Sequence, residues 1–270
     1  MNILVCVKQV PDTTEIKINP ETGSLIRDGV PSILNPDDAN ALEQALQIKD
    51  TDPENINVTV VSMGPPQASD MLFECLAMGA DRAILLSDRA VGGSDTWATS
   101  NAITAAINKY NKEFGPYDMI IGGRQAIDGD TAQVGPQIAE KLHIPQVTYA
   151  ADIHKEGNAI TVKRMLEDGY MTIKVKTPCL VTCIKELNTP RYMSVQGIFE
   201  TYSKPMTILD YEALKDNPLI DKSTIGLSGS PTNILTSFTP PQKGAGQMLE
   251  GNGLATCEQL ASILADKHYI

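Results

Sequence analysis

Positive charge is scarce in this sequence: 22 Lys and Arg stand against 33 Asp and Glu, a formal net charge of −11 over 270 residues, with no basic run. Nucleic-acid recognition needs a cationic stripe to neutralise phosphates, so nucleic acid is excluded as a partner. Histidine is also thin. His143, His154 and His268 are the whole set, and none forms a metal-like pair. The five cysteines (Cys6, Cys75, Cys179, Cys183, Cys257) are odd in number, scattered, and lack a C-x-x-C pair. Zinc and iron–sulfur ligation therefore have no donor set, and reduced, mostly buried thiols in a cytoplasmic protein are the expectation. The hydrolase elbow G-x-S-x-G, the phosphate loop G-x-x-x-x-G-K-[ST] and the dinucleotide fingerprint G-x-G-x-x-G are missing. No apolar run approaches the roughly 20 residues of a membrane span, so membrane insertion is not expected. The opening run at 3–7 is too short for the core of a secretion signal.

What is present alternates between short apolar runs and helical patterns. Ile3-Leu4-Val5-Cys6-Val7 makes a first strand, and residues 12–34 read as an excursion in which 15–18 alternate like a short strand. Asn35-Pro36-Asp37-Asp38 is a helix start, with Asn as N-cap, Pro at the first helical position and acids in the first turn. Ala39, Leu42, Leu46 and Ile48 supply its apolar face. Strands over 58–61 and 83–86 follow. One helix over 67–78 closes at Gly79, and another over 96–111 is capped by Ser94 or Asp95.

The stretch from Met119 to Gln137 organises the rest. Its apolar run stops at Gly122-Gly123, where the backbone can turn sharply and approach a ligand closely. Asp128-Gly129 is a turn pair, and Asp130 and Thr131 are N-cap types for a helix running to Leu142. Pro136 either kinks that helix or marks its first turn. A strand, a glycine-containing loop and a helix N-terminus make an anion site, because free N–H groups and the helix dipole point at the same spot. The whole alternation calls for a parallel sheet covered on both faces, with ligands at the carboxyl ends of its strands. The loops at 8–11, 63–65, 92–99 and 123–134 converge there, rich in Gly, Asp, Thr and Ser.

The pattern changes after Pro145. A strand at 146–150 precedes two β-like runs, 159–165 and 170–176, joined as a hairpin by Leu166-Glu167-Asp168-Gly169, and a further strand covers 179–183. Residues 185–243 are Pro-, Ser- and Thr-rich, with one short helix expected at 209–214. They still carry Ile198, Phe199, Tyr202, Ile225, Leu227, Ile234, Leu235 and Phe238, so the expectation is an arm that wraps another subunit, in preference to a disordered linker. Residues 255–267 read as a last amphipathic helix. The domain reading is thus an α/β domain over 1–184, an extended loop and wrapping arm over 185–254, and a C-terminal helix over 255–270.

Several motifs together resemble the β-subunit of electron transfer flavoproteins: Val5-Cys6-Val7-Lys8, Asn35-Pro36, Ala77-Met78-Gly79-Ala80-Asp81-Arg82, Gly123-Arg124-Gln125-Ala126-Ile127-Asp128-Gly129-Asp130 and Leu187-Asn188-x-Pro190-Arg191-Tyr192. The family's signature region reads here Val162-Lys163-Arg164-Met165-Leu166-Glu167-Asp168-Gly169-Tyr170-Met171-Thr172-Ile173. Met171 stands where the family usually has Glu or Gln, which puts one contact with the partner subunit in doubt. The resemblance implies an α/β fold, a Rossmann-like mostly parallel sheet with helices on both faces, plus a β-hairpin region and a long C-terminal arm that wraps the partner α-subunit. It implies a heterodimer whose α-subunit carries its own flavin.

In one branch of the family this subunit holds structural AMP. In the electron-bifurcating branch it holds FAD, which takes a hydride from NADH and serves both an acyl-CoA dehydrogenase-type partner and a low-potential acceptor such as ferredoxin. The runs 92–100 and 129–136 resemble the bifurcating branch, so FAD is expected and AMP is the alternative. Carried over residue by residue, Cys6, Asn35, Pro36, Asp37, Asp38 and Met63 would surround the adenosine end. Gly123, Arg124, Gln125, Ala126, Ile127, Asp128, Gly129, Asp130, Thr131, Gln133 and Val134 would hold the phosphates, Asp128 by orienting the loop or binding a ribose hydroxyl. Thr96 and Thr99 would add donors at a helix N-terminus. Leu187, Tyr192, Met193 and Val195 resemble the loop that anchors on the dehydrogenase. No side chain is expected to be catalytic, because the cofactor carries the chemistry, and no metal is expected. A nucleotide-sensing module of similar architecture is the reading from another class, and the long arm counts against it.

Overall fold

The computed structural model describes residues 1–12, 31–232, 234–236 and 244–270; the strand expected at 15–18 and Phe238 lie outside them. In chain order the elements are β1 (Asn2–Cys6), β2 (Gln9–Pro11), β3 (Ser32–Leu34), α1 (Pro36–Asp50), β4 (Asn57–Met63), α2 (Ala68–Met78), β5 (Arg82–Leu86), α3 (Thr96–Phe114) and β6 (Met119–Gly123). Then come α4 (Val134–Leu142), β7 (Gln146–Glu156), β8 (Ala159–Met165), β9 (Tyr170–Lys176), β10 (Cys179–Cys183), α5 (Val195–Glu200), β11 (Met206–Leu209), α6 (Tyr211–Leu214) and α7 (Leu254–Asp266).

Among the described residues, nine strands form one sheet in the order β11-β5-β4-β1-β6-β10-β7-β8-β9. Neighbours from β11 to β7 are parallel, and β7, β8 and β9 continue as an antiparallel meander. β2 and β3 form a separate antiparallel ladder. The apolar strand runs follow from this arrangement, because a central parallel strand is buried on both faces. In β1, Ile3 and Val5 join the core beneath α1 and α2, while Leu4 joins the core beneath α3 and α4. The chain winds from β1 outward through β4 to β5, then crosses back to place β6 on the other side of β1. The carboxyl ends of β1 and β6 therefore flank the point where the winding reverses, which is where ligands bind in such sheets.

The helix expected at 209–214 is corrected to a strand and a helical turn. Leu209 ends β11, which pairs with β5, and the Asp210 side chain accepts from Ala213 N at 2.8 Å to start α6. Asp is a cap residue, so the break falls there. Leu209, Leu214, Ile220 and Ile225 are buried in the body. Of the apolar residues in 185–243, Ile225 is thus packed within this chain, whereas Ile198, Phe199, Tyr202, Leu227, Ile234 and Leu235 are exposed.

The chain divides into two compact units, Met1–Ile234 and Leu235–Ile270. The second contains α7. No helix among the described residues is long and apolar enough to cross a membrane.

Candidate functional site

At the carboxyl edge of β1 and β6, the first turn of α1 acts as a bracket. Asn35 occupies the N-cap position, with Pro36 behind it, yet its side chain makes no capping bond. Instead Asn35 Nδ2 donates to the Gln125 carbonyl at 2.9 Å, and Asn35 Oδ1 accepts from Ile127 N at 3.1 Å. Asp38 works one turn further on. Its Oδ2 accepts from Lys8 N at 2.9 Å and its Oδ1 from Gly123 N at 2.8 Å, so one carboxylate ties the ends of β1 and β6 together. Burial pushes the Asp38 carboxyl up to about 7, against the opposing pull of those N–H donors. Burial likewise pushes the Cys6 thiol up to about 12, with the Asp38 charge adding to it, so Cys6 is an unreactive thiol. Gly123 fits because it has no side chain: a Cβ there would lie 2.5 Å from Asp38 Oδ1 and 2.7 Å from the Asp37 carbonyl carbon.

The loop beyond β6 is held from several sides. Arg124 N donates to Cys183 O at 2.7 Å, which aligns the loop with the end of β10. Lys8 Nζ donates to Asp128 Oδ1 at 2.7 Å and Oδ2 at 2.9 Å, with the Asp128 side chain only 6% exposed. Lys8 is thus a second cation at the loop beside Arg124. Gln125 Nε2 donates to Asp130 Oδ1 at 2.6 Å, and Gly129 N and Asp130 N both donate to Ala126 O. Asp130 and Ala132 have φ of 50° and 54°, the left-handed region in which the chain doubles back before α4. The N-cap of α4 is Gln133, not Asp130 or Thr131, and it makes no side-chain capping bond. Pro136 lies in the first turn, where its missing N–H costs nothing. Among the described residues no side chain is bonded to the N–H groups opening this helix, which leaves them available to an anion.

Of the two caps considered for α3, Asp95 is the one used: its carboxylate accepts from Ala98 N at 2.9 Å. Burial raises the Asp95 carboxyl, but the N–H groups of Ala98 and Thr232 outweigh it and hold it below its ordinary value. A fixed negative charge thus occupies the start of α3. Thr96 turns its hydroxyl to Gln133 Oε1 at 3.0 Å and receives Gln137 Nε2 at 3.4 Å, linking the starts of α3 and α4. Thr99 lies three residues on and is half-buried. Cys6, Met63 and Val134, half-buried, pack against the core on the α3 and α4 side.

Further contacts around Arg124 complete the site. Arg124 Nε lies 3.5 Å from Asp37 Oδ2, and both atoms, like Gln137 Oε1, are buried without a hydrogen-bond partner among the described residues. Burial raises the Asp37 carboxyl, with Arg124 opposing it. The Arg124 guanidinium also sits 5.9 Å from the centroid of Tyr149, whose φ of 59° marks the irregular pairing of β7 with β10. Asp37 belongs to the 35–38 run expected at the adenosine end; Gln137 and Tyr149 are additions, and nothing in the sequence points to Tyr149.

The site brings together Lys8, Asn35, Asp38, Gly123, Gln125, Ile127 and Asp128 through direct bonds. It does not give Thr131 the capping role expected. The partner-loop residues lie elsewhere: Tyr192, Met193 and Val195 are exposed, whereas Leu187 packs against the core on the α1 side.

These features fit a nucleotide. Arg124 Nε and Gln137 Oε1 have no hydrogen-bond partner among the described residues, the N-cap residue of α4 makes no side-chain capping bond, and Cys6 and Met63 offer half-buried apolar surface at the strand ends. The family model described as "Electron transfer flavoprotein domain" matches residues 22–214. The chain is 59% identical to the acryloyl-CoA reductase electron transfer subunit gamma of Anaerotignum propionicum, over 100% of both chains. It is 57% identical to caffeyl-CoA reductase-Etf complex subunit CarD of Acetobacterium woodii, again over 100% of each. It is 52% identical over 100% of each to the electron transfer flavoprotein subunit beta of Clostridium acetobutylicum.

Proposed function

The chain belongs to the electron transfer flavoprotein family as a β-type subunit, and on that premise we propose that it binds FAD in the cleft at the ends of β1 and β6 for electron bifurcation from NADH. The observation that carries this is the bracket of Asn35 and Asp38 on residues 123–127. Two buried side chains on a rigid helix preset a loop whose own role is then to face a ligand, as tight binding requires. When bound, the flavin supplies hydride acceptance and onward electron passage.

The residues of this chain supply position and charge. The α4 start and the backbone of 128–133 address the phosphates, while Arg124 offers its guanidinium beside them. The Asp95 carboxylate disfavours a phosphate at the start of α3, so Thr96 and Thr99 act through hydroxyls and through Gln133. Lys8 fixes Asp128, which braces the loop. Electrons then pass to an α-subunit flavin, to a flavoenzyme of the acyl-CoA dehydrogenase type, and to a low-potential acceptor such as ferredoxin. The reductase names of the first two relatives support that partner class. A cytoplasmic heterodimer is the setting.

A second reading shares the same support. Phosphate and adenosine, the parts of FAD assigned above to this cleft, are equally the parts of structural AMP. The test is to purify the heterodimer, count its nucleotides, and titrate it anaerobically with NADH. Two FAD with flavin bleaching supports the proposal. One FAD plus AMP supports the second reading, and two FAD that NADH leaves oxidised defeats the bifurcating assignment.

A further inference from the structure

Residues 224–232 fold back onto the start of α3 and latch there. Ile225 is buried in the core beneath α3 and seats the segment. Asn101 Nδ2, in the second turn of α3, donates to Thr224 O at 2.9 Å. Gly226 N donates to Ser94 Oγ at 3.0 Å, and Leu227 N to Gly92 O at 3.1 Å. Ser230 is buried; its hydroxyl accepts from Asp95 N at 2.8 Å, 135 positions away, and donates to Gly226 O at 2.7 Å. Gly226 suits this turn because its φ is 65° and a Cβ there would overlap the Ala90 carbonyl oxygen.

Asp95 closes the latch. Its Oδ1 caps α3 through Ala98 N at 2.9 Å, while its Oδ2 accepts from Thr232 N at 3.0 Å. One carboxylate is thus shared between a helix start and the end of the latch. The next residue is Thr96, whose hydroxyl donates to Gln133 Oε1 at 3.0 Å and accepts from Gln137 Nε2 at 3.4 Å. Gln133 is the N-cap residue of α4. A continuous set of bonds therefore runs from Thr232 through Asp95 and Thr96 to the helix start assigned above to the phosphates. Such a network couples two places when an element in it has two arrangements. Here the second arrangement is the open latch: Leu227 and Thr232 are exposed, so their N–H groups can exchange Gly92 O and Asp95 for water.

We infer that Asp95 is a positioning residue for the nucleotide cleft: by holding Thr232 while it caps α3, it fixes Thr96 against Gln133 and Gln137, so that latch closure and nucleotide binding favour each other. The inference rests on the nucleotide reading proposed above and extends it to residues 224–232. Coupling between linked sites is reciprocal and commonly amounts to about fivefold or more in affinity. Serine also caps helices, but a carboxylate has a second oxygen, and that oxygen is the one the latch uses.

The test uses the intact heterodimer, depleted of nucleotide and reloaded with FAD or with AMP as probe. Thr232→Pro deletes the pinned N–H and leaves the α3 cap untouched; it is expected to weaken binding of the probe about fivefold. Asp95→Ser keeps a cap, loses the reach to Thr232, and is expected to weaken binding to the same extent. The reciprocal measurement needs no variant. In wild type, the amides of Gly226, Leu227 and Thr232 are expected to exchange about fivefold faster without nucleotide than with it, while those of β9 do not change. A latch that only stabilised the fold would lower the unfolding midpoint when broken, yet leave these three amides indifferent to nucleotide. If both variants hold the probe as wild type does, or the three amides exchange equally with and without it, the positioning role fails and the nucleotide reading stands. If wild type binds neither FAD nor AMP, the nucleotide reading fails and this inference with it. If a variant unfolds, the exchange comparison in wild type decides alone.

Discussion

Asn35 grips the backbone of Ile127, its Oδ1 accepting from Ile127 N at 3.1 Å while its Nδ2 holds the preceding loop through Gln125 O at 2.9 Å. Asn35 is fully buried, and removing its carboxamide leaves Gln125 O and Ile127 N without the partner that holds the loop. Each stranded group costs about 1–3 kcal/mol. Asn35→Ala is therefore expected to lower stability by roughly 2–4 kcal/mol and to release nucleotide during gel filtration. Asn35→Asp keeps the acceptor for Ile127 and loses the donor, so it should fall between. Full nucleotide retention in Asn35→Ala would show that the loop is preset by something else.

Gly123 tests the same bracket from the other side. A methyl group there meets Asp38 Oδ1 at 2.5 Å and the Asp37 carbonyl carbon at 2.7 Å. The second neighbour is backbone of α1, which cannot step aside like the tip of a long side chain. Gly123→Ala is expected to cost about 1–3 kcal/mol and to weaken nucleotide binding with it. Equilibrium urea unfolding and nucleotide content measure the two effects; an unchanged midpoint would mean the helix start is looser than its bonds suggest.

Asp38 carries a pH signature. Its carboxyl rises from 3.8 to about 7 on folding, chiefly through burial. Between those values the folded protein binds about one proton more than the unfolded chain at this group, so stability falls as pH rises through that window. The loss is complete above about 7. Asp37 is shifted in the same direction, also by burial, and adds to the slope. Asp38→Asn should flatten the dependence, while lowering stability throughout, because its amide leaves Lys8 N or Gly123 N without an acceptor. Unfolding midpoints of both proteins from about pH 5 to about pH 8 give the comparison. Equal slopes would remove Asp38 as the titrating group.

The sequence made some of this legible, and the division has a physical cause. A strand buried on both faces prints as a short apolar run, as 179–183 does for β10, whereas partly exposed strands print as alternation, as 159–165 and 170–176 do for β8 and β9. Periodicity is local, and pairing across the fold is not. Lys8 and Asp128 are 120 positions apart and Asn35 and Ile127 are 92 apart, so nothing in either neighbourhood names the other. Asn35 shows the consequence. Its place before Pro36 marks the helix start correctly, but the side chain that ordinarily caps the helix has been taken by the loop. Ser94 and Asp95 posed the opposite problem, two cap types side by side; the carboxylate takes the cap, and Ser94 Oγ donates to Val91 O at 2.8 Å and accepts from Gly226 N at 3.0 Å.

The last prediction concerns α7. Thirteen residues form this helix, none of them buried, and its N-cap Gly253 makes no side-chain capping bond. Helices below about 12–15 residues are marginal in water without packing, because the nucleation cost is barely recovered. Yet Leu254, Leu260, Ile263 and Leu264 give it apolar surface, so a second chain that buries this face would stabilise it. Amides of 254–266 are expected to exchange near coil rates in the isolated chain and to become protected in the heterodimer. The body, Met1–Ile234, has its own core above and below the sheet, so truncation after Ile234 should leave it folded with its unfolding midpoint little changed, while assembly with the α-subunit weakens by tenfold or more, equivalent to about 1.4 kcal/mol. Hydrogen exchange and sedimentation of the two forms test this together. Strong protection of α7 in the isolated chain, or undiminished assembly after truncation, would show that the helix needs no partner.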